Sequence, residues 1–380
     1  MRHLLLATIP AGPLALAAGL LALAALPAAA QAPTAQAPTA NPGGCFRGQL
    51  DEGYCDTNRD LVADAPEASR QRDPSTLVFA YTPVEDPALY ANQFRPFVDH
   101  LTRCTGKRTV YFQVTSNAAQ VEAMRSGRLH IAGFSTGPTA FAVNLAGALP
   151  FAIKGGPEGF ESYRVVMLVR ADSNIRTMAD LKGRRVAHTS ATSNSGNLAP
   201  RAFFPGLGLT PDTDYRVVYS GGHDRSVMGV NAGDYDAAPV ASDVYSRMVA
   251  RGQVKGENFR VIWESDPFPT SSFAYSHDLK PELQAKIREC FMSYRFPEAM
   301  ARDLGGNDRF WPATYAEQWA PVRAVADAVN APYSRAAFDE ESRKELEAEA
   351  RRNAQRAPQT QSGGVHNVPQ ASGAQGGARP

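Results

Sequence analysis

The sequence predicts an α/β protein built as two similar lobes with a cleft between them. Strand-like and helix-like segments alternate from residue 76 to about residue 350, as in largely parallel sheets flanked by helices. One unit also occurs twice: Ala123–Ala132 and Gly229–Ala238 superpose at an offset of 106 residues, each a helix, a glycine stop and a buried strand. The chain of 380 residues is long enough for about two domains.

The individual elements are predicted from their residue types. Short runs rich in β-branched or aromatic residues indicate strands. The predicted strands are Thr76–Tyr81, Thr109–Thr115, Leu129–Phe134, Tyr163–Arg170, Arg185–His188, Arg216–Ser220 and Arg260–Glu264. A helix is predicted from Asp86 to Leu101, with an aspartate cap followed by Pro87, and a second one over Gln120–Arg125 ends before Gly127.

Both ends of the chain are predicted to lie outside this fold. Residues 1–30 contain Arg2 and His3, a long apolar stretch and three alanines up to Ala30. This order is typical of a secretory signal peptide cleaved near Ala30, and an uncleaved membrane anchor is the alternative. Residues 31–75 are interpreted as a linker and residues 351–380 as a disordered tail, because their low-complexity stretches cannot offset the entropy of ordering. We therefore expect a soluble, exported protein.

The four cysteines fit an exported protein. Cys45, Cys55, Cys104 and Cys290 form an even set, so two disulfides are expected and three connectivities are open. Pairing Cys45 with Cys55 is favoured, because it would hold a short glycine-rich segment with little apolar content, and Cys104 would then pair with Cys290. Zinc is the alternative, but no CxxC or HxxxH spacing supports it.

The charge balance argues against a nucleic-acid partner. The chain has 39 basic and 38 acidic side chains, a formal net charge of +1, and no Lys/Arg-rich patch with interleaved aromatic residues. Duplex binding requires a dense basic surface that displaces counterions.

Three loops have a composition that suits an anion. Hydroxyl-bearing or glycine residues stand directly before a predicted helix at Ser135–Thr139, Thr192–Asn197 and Ser220–Asp224. The first amides of a helix have no intrahelical partner, and the helix dipole favours negative charge there. Three such loops in one chain predict an oxyanion ligand.

The middle loop is the most specific of the three. Its side chains Ser193 and Ser195 can donate hydrogen bonds, and its backbone amides around Asn194 donate more, so a tetrahedral anion would be enclosed. Ordinary helix capping is the alternative. His223 offers a ring nitrogen and Tyr81 ends the first strand at the predicted cleft; the alternatives are a turn contact for His223 and core packing for Tyr81.

An exported phosphoester hydrolase is the alternative from another class of function. Ser195, His223 and Asp224 supply the residue types of a nucleophilic triad, but no G-x-S-x-G motif surrounds the serine. A histidine and an aspartate adjacent in sequence also rarely orient one another as a triad requires. The chain has no P-loop and no G-x-G-x-x-G motif. We expect no catalytic residue and no required cofactor.

Four segments carry a family resemblance, in the family's order over about residues 76–300. They are Phe79–Pro87, Met178–Gly183, Ser193–Pro200 and Ser220–Asp224, and the predicted strand Gly233–Ala238 follows them. Through them the chain resembles the periplasmic solute-binding proteins of phosphate, phosphite and phosphonate ABC importers, which have the type II binding-protein fold. The resemblance implies a first lobe of residues 76–170 plus 268–350, a second of residues 171–267, and a hinge that closes the interlobe cleft on the ligand. It also brings Cys104 and Cys290 into one lobe.

The resemblance further implies which residues hold the ligand and where it goes. Ser193 and Ser195 with the intervening amides would hold a small phosphorus oxyanion, and the protein, as a monomer, would deliver it to a membrane ABC permease. The side chains implied to help are Thr136, Tyr81 and His223.

Two departures from the family pattern bear on the ligand. The family commonly has Ser-Thr-Ser where this chain has Asn194 in the middle. Relatives that bind aminoalkylphosphonates usually carry an acidic residue where Thr270 and Ser271 stand. An ammonium-bearing ligand is therefore disfavoured unless Asp243 faces the cleft. A metal or organic ligand bound by the same fold is a further alternative.

An acidic loop precedes the predicted binding core and suggests a metal site. Its oxygen ligands are spaced at positions 1, 3, 5, 9 and 12, with a backbone carbonyl at position 7, as in loops that wrap calcium. In order, these residues are Asp56, Asn58, Asp60, Asp64 and Glu67, with Val62 at position 7. The loop also resembles the aspartate repeats of dockerins and thrombospondin. Leu61 replaces the usual glycine of position 6, and a solvated acidic linker is the alternative.

Overall fold

The strands of the protein are sorted into two main sheets and a small pair that connects them. The computed structural model describes residues 44–330 and 332–356; the predicted signal peptide, residues 31–43 and residues 357–380 lie outside the described residues. The strands are β1 (Thr76–Tyr81), β2 (Arg108–Tyr111), β3 (Ile131–Phe134), β4 (Ala148–Gly156), β5 (Gly159–Phe160), β6 (Ser162–Tyr163), β7 (Val165–Arg170), β8 (Arg185–His188), β9 (Arg216–Tyr219), β10 (Ala237–Ala241), β11 (Phe259–Glu264), β12 (Phe268–Pro269), β13 (Ser272–Ser276) and β14 (Arg309–Pro312).

Helices follow most of the strands. They are α1 (Pro87–Gln93), α2 (Arg95–Thr105), α3 (Asn117–Arg125), α4 (Thr136–Ala146), α5 (Ala199–Phe203), α6 (His223–Ala232), α7 (Ser242–Ala250), α8 (Pro281–Ser293), α9 (Glu298–Asp303), α10 (Tyr315–Gln318), α11 (Ala320–Ala328) and α12 (Arg335–Arg356). A single π-type turn, Asn194–Leu198, leads into α5. The predicted helix from Asp86 to Leu101 is split at Phe94 into α1 and α2, because Pro96 in the next turn has no amide hydrogen to continue the first helix. Within the described residues, no helix is both long and apolar enough to cross a bilayer.

Each main sheet combines parallel and antiparallel pairs, where the sequence predicted largely parallel sheets. The first has the order β14-β4-β13-β3-β1-β2 with β5 beside β4, and the second has the order β11-β7-β10-β8-β9. In the first sheet β1 is parallel to β2 and β3, while β13 is antiparallel to β3 and β4. The antiparallel strand β13 arises because the chain returns to the first sheet from the other side after completing the second.

The repeated unit occupies equivalent places in the two sheets. β3 lies between the parallel neighbour β1 and the antiparallel neighbour β13, and β10 lies between the parallel β8 and the antiparallel β7. The preceding glycines, Gly127 and Gly233, both have the left-handed backbone that ends a helix, with φ of 74° and 85°. The sequence echo therefore marks two lobes of related topology.

The boundary between the lobes differs from the prediction. β7 pairs with β10 and β11 of the second sheet, so residues 165–170 lie with the second lobe and not with the first, to which the sequence assigned them. The predicted strand Tyr163–Arg170 is divided, and its first part, β6, pairs with β12 as the link between lobes. Strand patterns do not reveal which sheet a strand joins, and this accounts for the error.

The segment before the first strand is packed against the first lobe, although the sequence predicted a linker there. Leu50 and Ala63 are buried in the same core as helices α3 and α4, and the Asp51 amide donates to the Asn144 carbonyl over 2.8 Å.

The C-terminal helix extends beyond the predicted start of the tail. α12 continues to Arg356, six residues into the predicted tail, since Glu, Ala, Arg and Gln are good helix formers.

Both favoured disulfides are present. Cys45 is bonded to Cys55, and Cys104 is bonded to Cys290 across 186 residues of sequence. The second bridge joins α2 to α8 within the first lobe, so the late return of the chain to its starting lobe is held covalently.

Candidate ligand-binding site

A cavity of about 360 Å³ lies between the two lobes, where several helices begin. The first residues of α3, α4, α6 and α7 line it, and so does the turn Asn194–Leu198. Each helix start presents amides without an intrahelical partner and the positive end of a dipole. All three loops that the sequence singled out therefore meet at one cavity, and the combined field there favours an anion.

Every predicted ligand-binding residue lines this cavity. The strand end, two helix starts and the π-type turn supply them: Tyr81, Thr136, Ser193, Asn194, Ser195 and His223. The structure thus brings together residues separated by up to 142 positions in the chain. Their binding of a ligand stays a prediction.

Ser195 and His223 form a buried pair across the second lobe. Ser195 Oγ lies 3.0 Å from His223 Nε2, and the Ala241 amide donates to His223 Nδ1 over 3.4 Å. Because Nδ1 accepts, the network assigns the ring proton to Nε2, which donates to the serine. The Ser195 hydroxyl hydrogen is then directed away from His223, and Ser195 is also a hydrogen-bonding neighbour of Tyr163, which lines the same cavity. His223 lines the cavity with Nε2 in contact with Ser195, and donation from its ring to a ligand stays a prediction.

Burial keeps two histidines of the second lobe neutral. Desolvation lowers the pKa of His223 to about 4 and that of His188 to about 4. His188 is held between Asn197 Oδ1 and Tyr215 Oη, each 2.9 Å from a ring nitrogen. Its contact with Asn197 places it directly behind the Ser193–Ser195 loop.

These histidines predict that the protein loses stability as the pH falls below about 6.5. In the unfolded chain a histidine has a pKa of about 6.5, so between pH 6.5 and 4 the unfolded state binds more protons than the native one. Stability that is present above pH 6.5 is therefore lost towards pH 4, by about 2 kcal/mol for each histidine between pH 7 and 5. Denaturant unfolding at these two pH values should show the loss, and His223→Gln should make it smaller. An unchanged pH dependence in that variant would contradict the assignment.

The other two residues of the central loop also have structural partners. Ser193 Oγ caps the turn by accepting a hydrogen bond from the Gly196 amide over 3.1 Å. Helix capping is therefore present at Ser193, but it uses the oxygen only as an acceptor. The hydroxyl hydrogen can still be donated to another group. Asn194 Nδ2 donates to Tyr163 Oη over 2.9 Å. Burial raises the pKa of Tyr163 to about 12, which keeps its phenol protonated.

Tyr81 and Thr136 connect the cavity to the strand link between the lobes. Tyr81 Oη donates to Ser271 Oγ over 3.1 Å, and Thr136 Oγ1 donates to the Pro269 carbonyl over 2.9 Å. Burial raises the pKa of Tyr81 to about 12. Tyr81 is buried in the core and also lines the cavity. The side chain therefore has both of the roles considered from the sequence. These bonds attach the first lobe's side of the site to the segment that links the two lobes.

Sequence reasoning missed the buried charges of the cavity. Lys154 of β4 and Arg247 of α7 line it together with Asp243, and Arg247 Nη1 donates to Asp243 Oδ2 over 2.7 Å. Burial, and then repulsion from Arg247, lowers the pKa of Lys154 to about 7, and this ammonium contacts the Glu161 carboxylate. Two sequence signals could have indicated these charges. One is the lysine in the otherwise apolar strand β4, and the other is the i, i+4 spacing of Asp243 and Arg247, which allows an ion pair on a helix.

Asp243 faces the cleft but is already paired. Burial opposes its ionisation, while Arg247 and then Lys154 overcome that cost and hold its pKa below the usual range. The carboxylate therefore remains charged and neutralises the guanidinium beside it.

Salt bridges also join the two lobes beside the cavity. Glu85 of the first lobe is buried, and its carboxylate lies 3.3 Å from Arg251 Nη1 and 3.9 Å from Arg247 Nε, both on the second lobe. Arg251 Nη2 donates to the Asp303 carbonyl, again across the lobes, over 2.6 Å. This arrangement belongs to closed lobes, because opening the cleft would separate these partners.

The predicted metal loop contributes no residue to the cavity lining. Within residues 44–330 and 332–356, no three carboxylate, imidazole or thiolate side chains converge on one point as they stand. Asp64 Oδ2 accepts from Thr57, while Asn58 and Asp60 are bonded to each other. Glu67 lies beyond Pro66, at the cap of a short 3-10 helix.

Comparison with known proteins gives one family and several relatives. A family model described as the periplasmic substrate-binding protein of phosphonate ABC transporters matches residues 79–319. The phosphate-import protein PhnD of Mycolicibacterium smegmatis is 29% identical over 246 residues, covering 60% of this chain and 75% of the relative. The phosphonates-binding periplasmic protein of Escherichia coli is 24% identical over 267 residues, covering 68% of this chain and 75% of the relative.

A solved structure confirms the fold. PhnD1 of Prochlorococcus marinus in complex with methylphosphonate superposes with a TM-score of 0.61 at 17% identity, covering 68% of this chain and 100% of the other. The two-lobed α/β fold of the type II periplasmic binding proteins, predicted from the sequence, is therefore confirmed. The family match spans both sheets and every loop of the cavity. The chain belongs to the family of periplasmic substrate-binding proteins of phosphonate ABC transporters.

Proposed function

We propose that this protein captures a small phosphorus oxyanion, such as phosphate, phosphite or an alkylphosphonate, and presents it as a monomer to a membrane ABC permease. The observation that carries the proposal is the meeting of the three anion-suited loops at one interlobe cavity, which Ser193 and Ser195 both line. Membership of the family and the ligands named for its relatives support the same class. The protein is exported to the periplasm by a signal peptide over residues 1–30, which is cleaved near Ala30.

The charges of the cavity favour a ligand without an ammonium group. Lys154, Arg225 and Arg247 line it against the single carboxylate of Asp243, and that carboxylate is bonded to Arg247. Where an ammonium would require an acidic partner, Thr270 and Ser271 offer hydroxyls. An ammonium would therefore have to break an existing buried ion pair, at a cost that a plain alkyl group avoids.

The hydrolase alternative does not fit the tautomer of His223. A general base for Ser195 would need an unprotonated Nε2 with Nδ1 donating to a carboxylate. Instead the Ala241 amide donates to Nδ1, and the proton on Nε2 faces the serine. Asp224 follows His223 on α6, and no bond joins the two side chains among those described. We propose a binding role without turnover.

Ser195→Ala tests this assignment. The substitution removes one hydrogen bond to a charged acceptor, a contribution of about 1.5 to 3 kcal/mol, so the Kd should rise roughly 10- to 100-fold. Isothermal titration of the exported, processed protein with phosphate, phosphite, methylphosphonate and aminoethylphosphonate measures it. Ser246→Ala is the matched control, because Ser246 is exposed on α7.

The outcomes separate the alternatives. Saturable binding of one of the first three ligands, weakened in Ser195→Ala and unchanged in Ser246→Ala, would support the proposal. Preference for aminoethylphosphonate would contradict the argument about Asp243. Absence of binding to all four would overturn the phosphorus-oxyanion assignment in favour of a metal or organic ligand, and release of product from a phosphoester that stops in Ser195→Ala would establish the hydrolase.

A further inference from the structure

The acidic loop before the first strand contains a buried carboxylate with an unused oxygen. Asp56 is 1% exposed. Its Oδ2 accepts from the Leu61 amide over 3.2 Å, whereas Oδ1 is buried and has no hydrogen-bond partner among the described residues. Buried carboxylates in proteins are paired with a cation, hydrogen-bonded or bound to a metal ion. The unused oxygen therefore points to a cationic ligand.

Among residues 44–330 and 332–356, the surroundings of this carboxylate supply further acidic oxygens and no basic side chain paired with it. Asp60 and Asp64 lie close enough to act on Asp56 electrostatically, both as like charges. The nearest basic residue of the loop, Arg59, is directed to the Phe46 ring, with its guanidinium carbon 4.9 Å from the ring centroid. As the loop stands, the three carboxylates do not converge on one point, but their like charges act on one another, and a divalent cation drawn in by them would neutralise most of that charge.

The backbone of the loop is held in a compact shape. The Asp56 amide donates to the Phe46 carbonyl over 2.7 Å, and the Asp64 amide donates to the Cys55 carbonyl over 2.8 Å. The Cys45–Cys55 disulfide closes the segment in front of it. Leu61, at position 6 of the loop, has φ of 71°, the left-handed backbone that glycine supplies at this position in calcium loops.

We propose that this loop binds one calcium ion through the side chains of Asp56, Asn58, Asp60 and Asp64 and the carbonyl of Val62. Oxygen ligands at positions 1, 3, 5, 7 and 9 match the requirement of a hard cation for several flexible oxygens. To bind the ion, Asn58 and Asp60 give up the hydrogen bond between their side chains. Asp64 gives up its bond to the Thr57 hydroxyl. These are exposed or partly exposed bonds, so their exchange costs little.

The ion stabilises the attachment of the N-terminal segment to the first lobe. Ala63, within the loop, is buried in a core that includes residues of α3 and α4, and Asp51, nearby in sequence, forms a salt bridge of 2.8 Å with Arg335. Calcium bound only by the folded protein raises its stability by mass action. The loop does not line the cavity, so oxyanion affinity is expected to be unchanged by the ion.

The test uses the processed protein, without the signal peptide but otherwise complete, after treatment with a chelator. Calcium is titrated into it, and thermal unfolding is followed in calcium and in EGTA. The wild-type protein should bind one equivalent and unfold at a higher temperature in calcium. Asp60→Ala should weaken calcium binding at least tenfold. Asp60 is exposed, so this variant keeps the fold. Glu52→Ala is the matched control, since it removes an exposed carboxylate of the same segment outside the proposed ligands.

Two further readouts make the test decisive. Leu61→Gly should retain calcium binding at wild-type affinity or tighter, because glycine adopts the required φ without strain. Oxyanion titrations in calcium and in EGTA should give the same Kd, so failure of calcium binding and failure of the uptake proposal are distinguishable. No calcium binding by the wild-type protein, or equal affinities in Asp60→Ala and Glu52→Ala, would overturn the proposal.

Discussion

Replacing Gly137 by alanine is expected to raise the Kd for the oxyanion about 100-fold or more while the protein stays folded. Gly137 lies in the first turn of α4, in the first lobe. A β-carbon at this position would stand against the Thr192 carbonyl oxygen, well inside van der Waals contact, and 3.0 Å from the Asn194 amide nitrogen. Both partners are backbone atoms of the second lobe's central loop, so the clash cannot be relieved by a side-chain rotation.

The clash exists only when the lobes are closed. An added methyl group keeps α4 and the Ser193–Ser195 loop apart, so a ligand held by one lobe loses bonds to the other. Loss of two hydrogen bonds to a charged ligand, at about 1.5 to 3 kcal/mol each, corresponds to 100-fold or more in Kd. Because an open arrangement avoids the contact, each lobe should fold as in the wild type.

The measurement is oxyanion titration of Gly137→Ala, with circular dichroism and thermal unfolding to establish the fold. Gly206→Ala is the control, since a β-carbon there would meet no atom within 4 Å. Binding of wild-type strength by Gly137→Ala would show that closure of α4 onto the loop is not required, and would contradict the site as described.

Replacing Arg247 by methionine is expected to destabilise the protein by about 3 to 5 kcal/mol, the usual cost of leaving a buried charge without its partner. Arg247 and Asp243 have side chains only 8% and 15% exposed and are 2.7 Å apart. Glu85, 2% exposed, is the second carboxylate beside Arg247 and keeps Arg251 as a partner. The cost therefore falls mainly on Asp243.

Denaturant unfolding of the ligand-free protein measures this effect, and two variants sharpen it. Arg170→Gln breaks an exposed pair with Asp172, whose side chains are 41% and 72% exposed, and should cost less than about 1 kcal/mol. Arg247→Met combined with Asp243→Leu removes both charges and should recover part of the loss. If the double variant is no more stable than Arg247→Met, the unpaired Asp243 carboxylate is not the cause.

Local sequence signals located the ligand loops because helix starts are encoded locally. A hydroxyl or glycine residue before a helix indicates unpaired amides wherever the helix is later placed, so the loops at Ser135, Ser193 and Ser220 could be singled out one by one. The glycine stops at Gly127 and Gly233 likewise marked the repeated unit.

Predictions that depended on distant partners were less successful. β7 has the residues of a buried strand and would fit either sheet, and only its pairing with β10 and β11 assigns it to the second lobe. Lys154 was not singled out from the sequence, because only the fold places Glu161 and Asp243 near it. The ring nitrogen of His223 that carries the proton could not be predicted either, because the Ala241 amide, 18 residues away, bonds to Nδ1.

The sequence by itself determined the alternation of strands and helices, the even set of cysteines, the helix starts suited to an anion and the spacing of the acidic loop, because each depends on residues within a few positions of one another. The tertiary structure alone decided the lobe boundary, the buried charge network that joins Glu85 to Arg247 and Arg251, and the contact of Ser195 with His223. These properties depend on burial and on partners brought together from distant segments. A pKa, a tautomer and a steric contact between lobes have no local signal from which they could be read.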